Sequence, residues 1–141
     1  MTRIVTVGAG QLGPVNRADT REVVVERLIA LLEQAAARSC DLIVFPELAL
    51  TTFFPRWYTD DVSDHDHYYE VQMPSPATQP LFDAAKRLGV GFCLGYQDSG
   101  VANNASFNRR QLGNRICCGR LASIDHSALA ITRFKLASTT H

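Results

Sequence analysis

Residues 41–48 read Asp41-Leu42-Ile43-Val44-Phe45-Pro46-Glu47-Leu48. Four consecutive apolar residues without polar alternation are too few for a helix and suit a short strand buried on both faces. Pro46 ends it, because proline has no N–H to give to a strand ladder. Upstream, Val24, Val25, Leu28, Leu31, Leu32, Ala35 and Ala36 recur at helical spacing. Asp19 precedes them with Glu22 three residues on, a capping-box pattern, so a long amphipathic helix is expected from there to about Arg38. Before it, residues 3–8 (Arg3-Ile4-Val5-Thr6-Val7-Gly8) are β-branched and bounded by glycine, which predicts a first strand. Downstream, residues 48–76 are irregular, with Pro55, Pro74, Pro76 and the aromatic cluster Phe53, Phe54, Trp57, Tyr58. Pro76 can open a second helix carried by Leu81, Phe82, Ala85 and Leu88 and stopped at Gly89. Val90 to Tyr96 then reads as a third buried strand. Strand–helix–strand–helix–strand at these spacings implies an α/β fold with helices packed on a sheet.

The chain has 141 residues, 46% apolar and 20% charged, which places it with single globular domains rather than disordered chains. No stretch approaches about 18 uninterrupted apolar residues, and the N-terminus has no long apolar segment of the signal-peptide kind. The expected location is therefore the cytoplasm, with no membrane partner. Formal charge is zero, yet residues 1–100 hold 8 basic and 13 acidic side chains, and residues 101–141 hold 6 basic and one acidic. The basic residues of the second part do not form one dense run, so a solvated segment is the better reading and no nucleic-acid partner is expected. Cys40, Cys93, Cys117 and Cys118 match neither a CxxC pair nor a metal-ligand spacing and read as reduced thiols.

Three stretches invite a functional reading. Gly8-Ala9-Gly10-Gln11-Leu12-Gly13 is a GxGxxG directly after a strand, the dinucleotide fingerprint. The helix signal near Asp19 begins too late for its N-terminus to cradle a pyrophosphate, which disfavours a nucleotide cofactor. Asp64-His65-Asp66-His67 could ligate a cation, but no convergent ligands accompany it, so a solvated acidic turn is expected and no metal. Glu47 is the most informative. A carboxylate immediately after a buried strand lies at the carboxyl end of the sheet, where α/β folds place their sites. Burial against Phe45, Phe53 and Phe54 would raise its pKa and make it a usable general base. A surface glutamate or loop anchor is the competing reading on these residues alone.

The string LIVFPELALTTFFPRW, residues 42–57, resembles the first catalytic motif of the nitrilase superfamily, the carbon–nitrogen hydrolases. Within it, GPVNRADTREVVVERL (13–28), YYEVQMPSP (68–76) and PLFDAAKRLGVGFCLGY (80–96) are most similar to N-carbamoyl-D-amino acid amidohydrolases. The likeness covers residues 1–97, taken as the N-terminal part of the hydrolase domain, with 98–141 a divergent tail. The resemblance implies a two-sheet α-β-β-α sandwich, of which only the N-terminal part is present, and homo-oligomers when complete. It implies a small-molecule substrate, an N-carbamoyl-D-amino acid, cleaved to the D-amino acid, CO2 and ammonia without metal or organic cofactor. It also implies catalysis by a Glu that shuttles protons, a Lys that stabilises the oxyanion and a Cys nucleophile. By motif only the glutamate carries over, as Glu47.

The family's K-x-H-L segment has no counterpart, since Lys135 sits in Phe134-Lys135-Leu136-Ala137. Cys117-Cys118-Gly119-Arg120 does not match the family's nucleophile motif. The expectation is therefore an amidohydrolase by descent, inactive as this chain. The alternative is a non-catalytic remnant or interaction subunit of the same fold. The loss of likeness near residue 98, together with the charge reversal, suggests a reading-frame change. Ala128 to Leu136 could form one strand or helix.

Overall fold

Residues 4–99, and residues 114–119 through their backbone, are described by a computed structural model. Helix α1 spans Arg21–Ala37 and buries Val24, Val25, Leu28, Leu32 and Ala35, the apolar stripe expected from the spacing. Its N-cap is Thr20, one residue later than Asp19, and the Thr20 hydroxyl accepts the Val23 N–H at 3.4 Å. Asp19 lies outside the helix, where its carboxylate accepts the Asn16 N–H at 2.9 Å and faces Arg27. At the other end Ser39 N–H donates to Ala36 O and Cys40 N–H to Ala35 O, the paired bonds of a Schellman motif. The left-handed position of that motif is held by Ser39 at φ 56°, where glycine is the usual occupant.

Strands β1 (Val7–Ala9), β2 (Leu42–Val44), β3 (Gly91–Gln97) and β4 (Asn114–Gly119) form one sheet in the order β1-β2-β3-β4. The first three are parallel, with Val7 opposite Leu42 and Ile43 opposite Phe92, and β4 runs antiparallel to β3. β1 begins later than the β-branched run predicts. Residue 6 is nonetheless tied to the start of β2, since Asp41 N–H donates to Thr6 O and the Asp41 carboxylate accepts the Thr6 N–H. β4, which carries Cys117 and Cys118, was not anticipated, because its sequence shows no apolar alternation. The Ala128–Leu136 expectation lies outside the described residues.

Helix α2 spans Gln79–Leu88 and ends at Gly89, left-handed at φ 74°, as expected. Pro80, not Pro76, occupies its opening turn. Pro76 lies in the preceding turn, where the buried Thr78 hydroxyl accepts the Ser75 N–H at 2.8 Å. Successive neighbouring strands with right-handed crossovers put both helices on one face, and α1 and α2 do pack on each other. Ile43, Phe92 and Leu94 point toward those helices and form the core with Leu28, Leu32 and Leu81. Full burial of such side chains contributes about 1.5–3 kcal/mol each.

The strands are not buried on both faces, as their apolar runs suggested. Val44 is 42% exposed, and Leu42 and Cys93 are half-buried. Two layers explain this: with both helices on one side, alternate residues of each strand face away from them. Among the described residues no helix is long and apolar enough to cross a membrane.

Candidate active site

The site grows from the turn after β2. Phe45 N–H still donates to Cys93 O at 2.9 Å, so pairing with β3 continues one residue beyond the strand. Pro46 interrupts it, and Ala49 N–H reattaches the chain to β3 at Gly95 O, 3.0 Å away. Between those bonds the chain turns over the end of β3, with Leu48 at φ 51°. A leucine in the left-handed region costs on the order of 1 kcal/mol, so its surroundings must impose the turn. Leu48 is buried against Phe54 and Tyr68. Gly95 makes the close approach possible, because a Cβ there would lie 3.1 Å from Glu47 Cα and 3.3 Å from Pro46 O.

Glu47 thus stands at the carboxyl end of β2, at the rim of the sheet, as the sequence placed it. The aromatic enclosure does not form. Glu47 is exposed, Phe45 is turned into the core, and Phe53 is 57% exposed. Phe45 follows the strand's alternation and packs with Phe92 at 6.1 Å between ring centroids, which takes it away from the carboxylate. The burial expected around Glu47 is therefore not realised.

Glu47 lines a cavity of about 430 Å³ with Leu12, Arg17, Phe53, Arg56 and Trp57 among its walls. That volume suits a small molecule. The wall is built locally: Phe54-Pro55-Arg56 forms a 3-10 turn with proline in its opening position, which delivers Trp57 to the cavity. Arg17 and Arg56 hold their guanidinium carbons 4.4 and 4.9 Å from the centroid of the Trp57 ring. The Leu12–Pro14 part of the wall is fastened by Arg27 on α1, whose Nη2 donates to Leu12 O at 2.6 Å and Pro14 O at 3.0 Å.

Beneath the turn lies a buried ion pair that sequence reading missed. Arg21 Nε is 2.7 Å from Glu70 Oε1, and Glu70 is only 6% exposed. A second Arg21 nitrogen, Nη1, donates to Leu50 O. Glu70 is itself pinned beside β3, its N–H donating to Gln97 O and its carbonyl accepting the Ser99 N–H. One cation thereby joins α1, the Glu47 loop and the segment beside β3. No local pattern announces this pair, because its partners are 49 residues apart in sequence.

The other sequence candidates have structural roles. Gly10 N–H donates to Val44 O at 2.8 Å, and a Cβ on Gly10 would meet Phe45 Cδ1 at 2.9 Å. Gly13 is left-handed at φ 73°. The GxGxxG therefore serves close packing and a turn, well before α1 begins. Asp64 to His67 lie in a 3-10 helix, Val62–Tyr68, in which Asp64 accepts the Thr59 hydroxyl at 2.6 Å and His65 packs on Phe54. No three potential ligands converge among the described residues. Cys40 and Cys93 are half-buried thiols, and neither lines the cavity. Nor does any lysine or other cysteine among the described residues.

A mixed α/β sheet thus carries a carboxylate at a strand's carboxyl end, on the wall of a cavity of small-molecule size. The family model for carbon–nitrogen hydrolases matches residues 6–118, and the chain belongs to that family, whose members hydrolyse carbon–nitrogen bonds. It is similar to a nitrilase of Pseudomonas syringae pv. syringae (strain B728a), 30% identical over 89 residues. That match covers 58% of this chain and 26% of the nitrilase, so the chain spans about a quarter of that relative's length.

Proposed function

We propose that Glu47 is the proton-transferring carboxylate of an N-carbamoyl-D-amino acid amidohydrolase site, working without metal or organic cofactor. The observation that carries this is its position on the cavity wall at the carboxyl end of β2. The family motif around it, residues 42–57, supports the substrate class. In this reading the thiol nucleophile and the oxyanion-stabilising lysine are needed beside Glu47, and the described residues of the cavity supply neither. Members of such a unit act together, so one carboxylate alone gives little rate enhancement. We accordingly take the 141-residue chain to be inactive by itself. The complete protein is read as a cytoplasmic homo-oligomer that binds neither nucleic acid nor membrane.

Ammonia release from an N-carbamoyl-D-amino acid tests the inactivity. The chain and its Glu47→Ala variant should both stay at background, and release by the parent above the variant would refute it. The role of Glu47 is tested through the encoding DNA beyond codon 97. If another frame there encodes the K-x-H-L and cysteine motifs, the restored protein should hydrolyse the substrate. Glu47→Gln should then lower kcat by about a hundredfold or more, and unchanged turnover would overturn the assignment. A non-catalytic remnant of the same fold is the second reading, favoured by the absence of cysteine and lysine among the described cavity residues.

A further inference from the structure

A second, smaller cavity of about 260 Å³ adjoins the Glu47 cavity and shares Arg17 and Thr51 with it. His67 and Asp19 line the smaller cavity but not the larger, while Glu47 and Arg56 line the larger but not the smaller. Three parts of the chain build its wall: the loop before α1 with Arg17, the turn beyond β2 with Thr51, and the 3-10 helix Val62–Tyr68 with His67. Its volume falls below the roughly 300–1,000 Å³ typical of sites for organic ligands, which favours an ion or a small group.

Thr51 shows that something polar belongs there. It is 8% exposed, and its hydroxyl is buried without a hydrogen-bond partner among the described residues. Native folds pair such groups, so an orphaned hydroxyl on a cavity wall points to a bound water or ion. Charge then narrows the choice. The Asp19 carboxylate on this wall accepts the Asn16 N–H and faces Arg27, and Arg21 is paired with Glu70. Arg17 is in none of the salt bridges found among the described residues. Its guanidinium carbon lies 4.4 Å from the centroid of the Trp57 ring, and its N–H donors lie in the guanidinium plane, where they can reach a ligand. His67 rests on Tyr68, 3.8 Å between ring centroids, and an imidazole keeps at least one N–H donor in either protonation state. The wall therefore offers an uncompensated cation and donors from three directions. A tetrahedral oxyanion carries acceptor oxygens all round, whereas a carboxylate presents two from one edge.

We propose that the smaller cavity binds a small tetrahedral oxyanion, phosphate or the phosphate group of a monoester, held by Arg17, Thr51 and His67. The proposal does not depend on the amidohydrolase reading. Because Arg17 and Thr51 belong to both walls, occupancy of the smaller cavity alters the wall of the larger one.

Trp57 is the single tryptophan of the chain and touches Arg17, so its emission reports binding. The 141-residue chain is titrated with sodium phosphate, ethyl phosphate and acetate at constant ionic strength. Phosphate should give a saturable change, bind about tenfold or more tightly than acetate, and lose affinity as salt rises. Ethyl phosphate binding as well as phosphate assigns the site to monoesters, and binding about tenfold more weakly assigns it to the free ion. His67→Ala and Thr51→Val should each weaken phosphate several-fold, while Arg56→Gln leaves it within about twofold. Arg17→Gln should abolish binding, read by the 31P line width of phosphate, which does not depend on the indole. His67 and Arg17 are exposed, so these two variants keep the core intact whatever Thr51→Val does to folding. No saturable response to phosphate, or unchanged affinity in both His67→Ala and Arg17→Gln, would overturn the site. So would a loss in Arg56→Gln as large as that in His67→Ala, which would put the ion in the Glu47 cavity instead.

Discussion

Replacing Gly95 by alanine tests whether the turn that carries Glu47 is held by close backbone contact. Gly95 lies in β3, where alanine would ordinarily be favoured by about 0.5–1 kcal/mol because it loses less backbone entropy on folding. Against that gain stands the space the new methyl would enter. Its nearest atoms are Glu47 Cα at 3.1 Å, Pro46 O at 3.3 Å and Leu48 N at 3.4 Å. All three are main-chain atoms of one turn, so no side chain can rotate away. The turn cannot lift freely either, since Ala49 N–H is bonded to Gly95 O and Leu48 is buried. Overpacking of this kind costs about 1–3 kcal/mol against that gain, so a net loss of up to about 2.5 kcal/mol is expected. Urea denaturation followed by Trp57 emission should show the midpoint fall, and thermal melting should drop by about 2–4 °C per kcal/mol. A Gly95→Ala protein as stable as its parent, or more stable, would refute the claim that this contact sets the turn.

Other positions give independent checks. Ser39→Gly should stabilise the chain by about 0.5–1 kcal/mol in chemical denaturation, because glycine occupies the left-handed Schellman position without the Cβ penalty. Glu70→Gln should cost about 3 kcal/mol, since it removes one member of a buried ion pair and leaves the Arg21 charge uncompensated; a loss below about 1 kcal/mol would show the pair to be effectively solvated. Glu22 is held below the usual carboxylate range by its hydrogen-bonded backbone amide first and the Thr20 hydroxyl second, with Arg21 a smaller contributor. Its folded pKa is depressed, so its contribution is present above the ordinary glutamate pKa and is lost as pH falls through the lowered one. Stability measured between pH 6 and the acid limb (on the order of pH 3–4) should therefore fall less in Glu22→Gln than in the parent.

Much of the frame was legible in the residues. The stripe from Val24 to Ala35 is a helix because its period matches 3.6, and Gly89 stops α2 because only glycine takes φ 74° cheaply. Caps were harder. Asp19, Thr20 and Glu22 all carry capping chemistry, and which residue begins the helix depends on whether Asp19 is drawn away to Asn16 and Arg27. For α2 the residues pointed to Pro76 as the opening position, whereas Pro80 occupies it. The faces of β2 could not be read, because an apolar run looks alike whether one face or two are covered.

Sequence by itself determined that Glu47 follows a short strand and a proline, and so must emerge at the carboxyl end of the sheet. Chain order along a strand is local information, and the family motif rests on the same contiguous residues. The environment of Glu47 was decided only by the tertiary structure. Phe45 alternates inward to Phe92 and Phe53 turns outward, so aromatic neighbours in sequence do not become a wall in space. Conversely, Arg17 and Trp57 meet across 40 residues of chain, and Arg21 meets Glu70 across 49. Charge and π-interactions act through distance in space, and that distance exists only after α1 has docked on the sheet and drawn its N-terminal loop against the turn beyond β2.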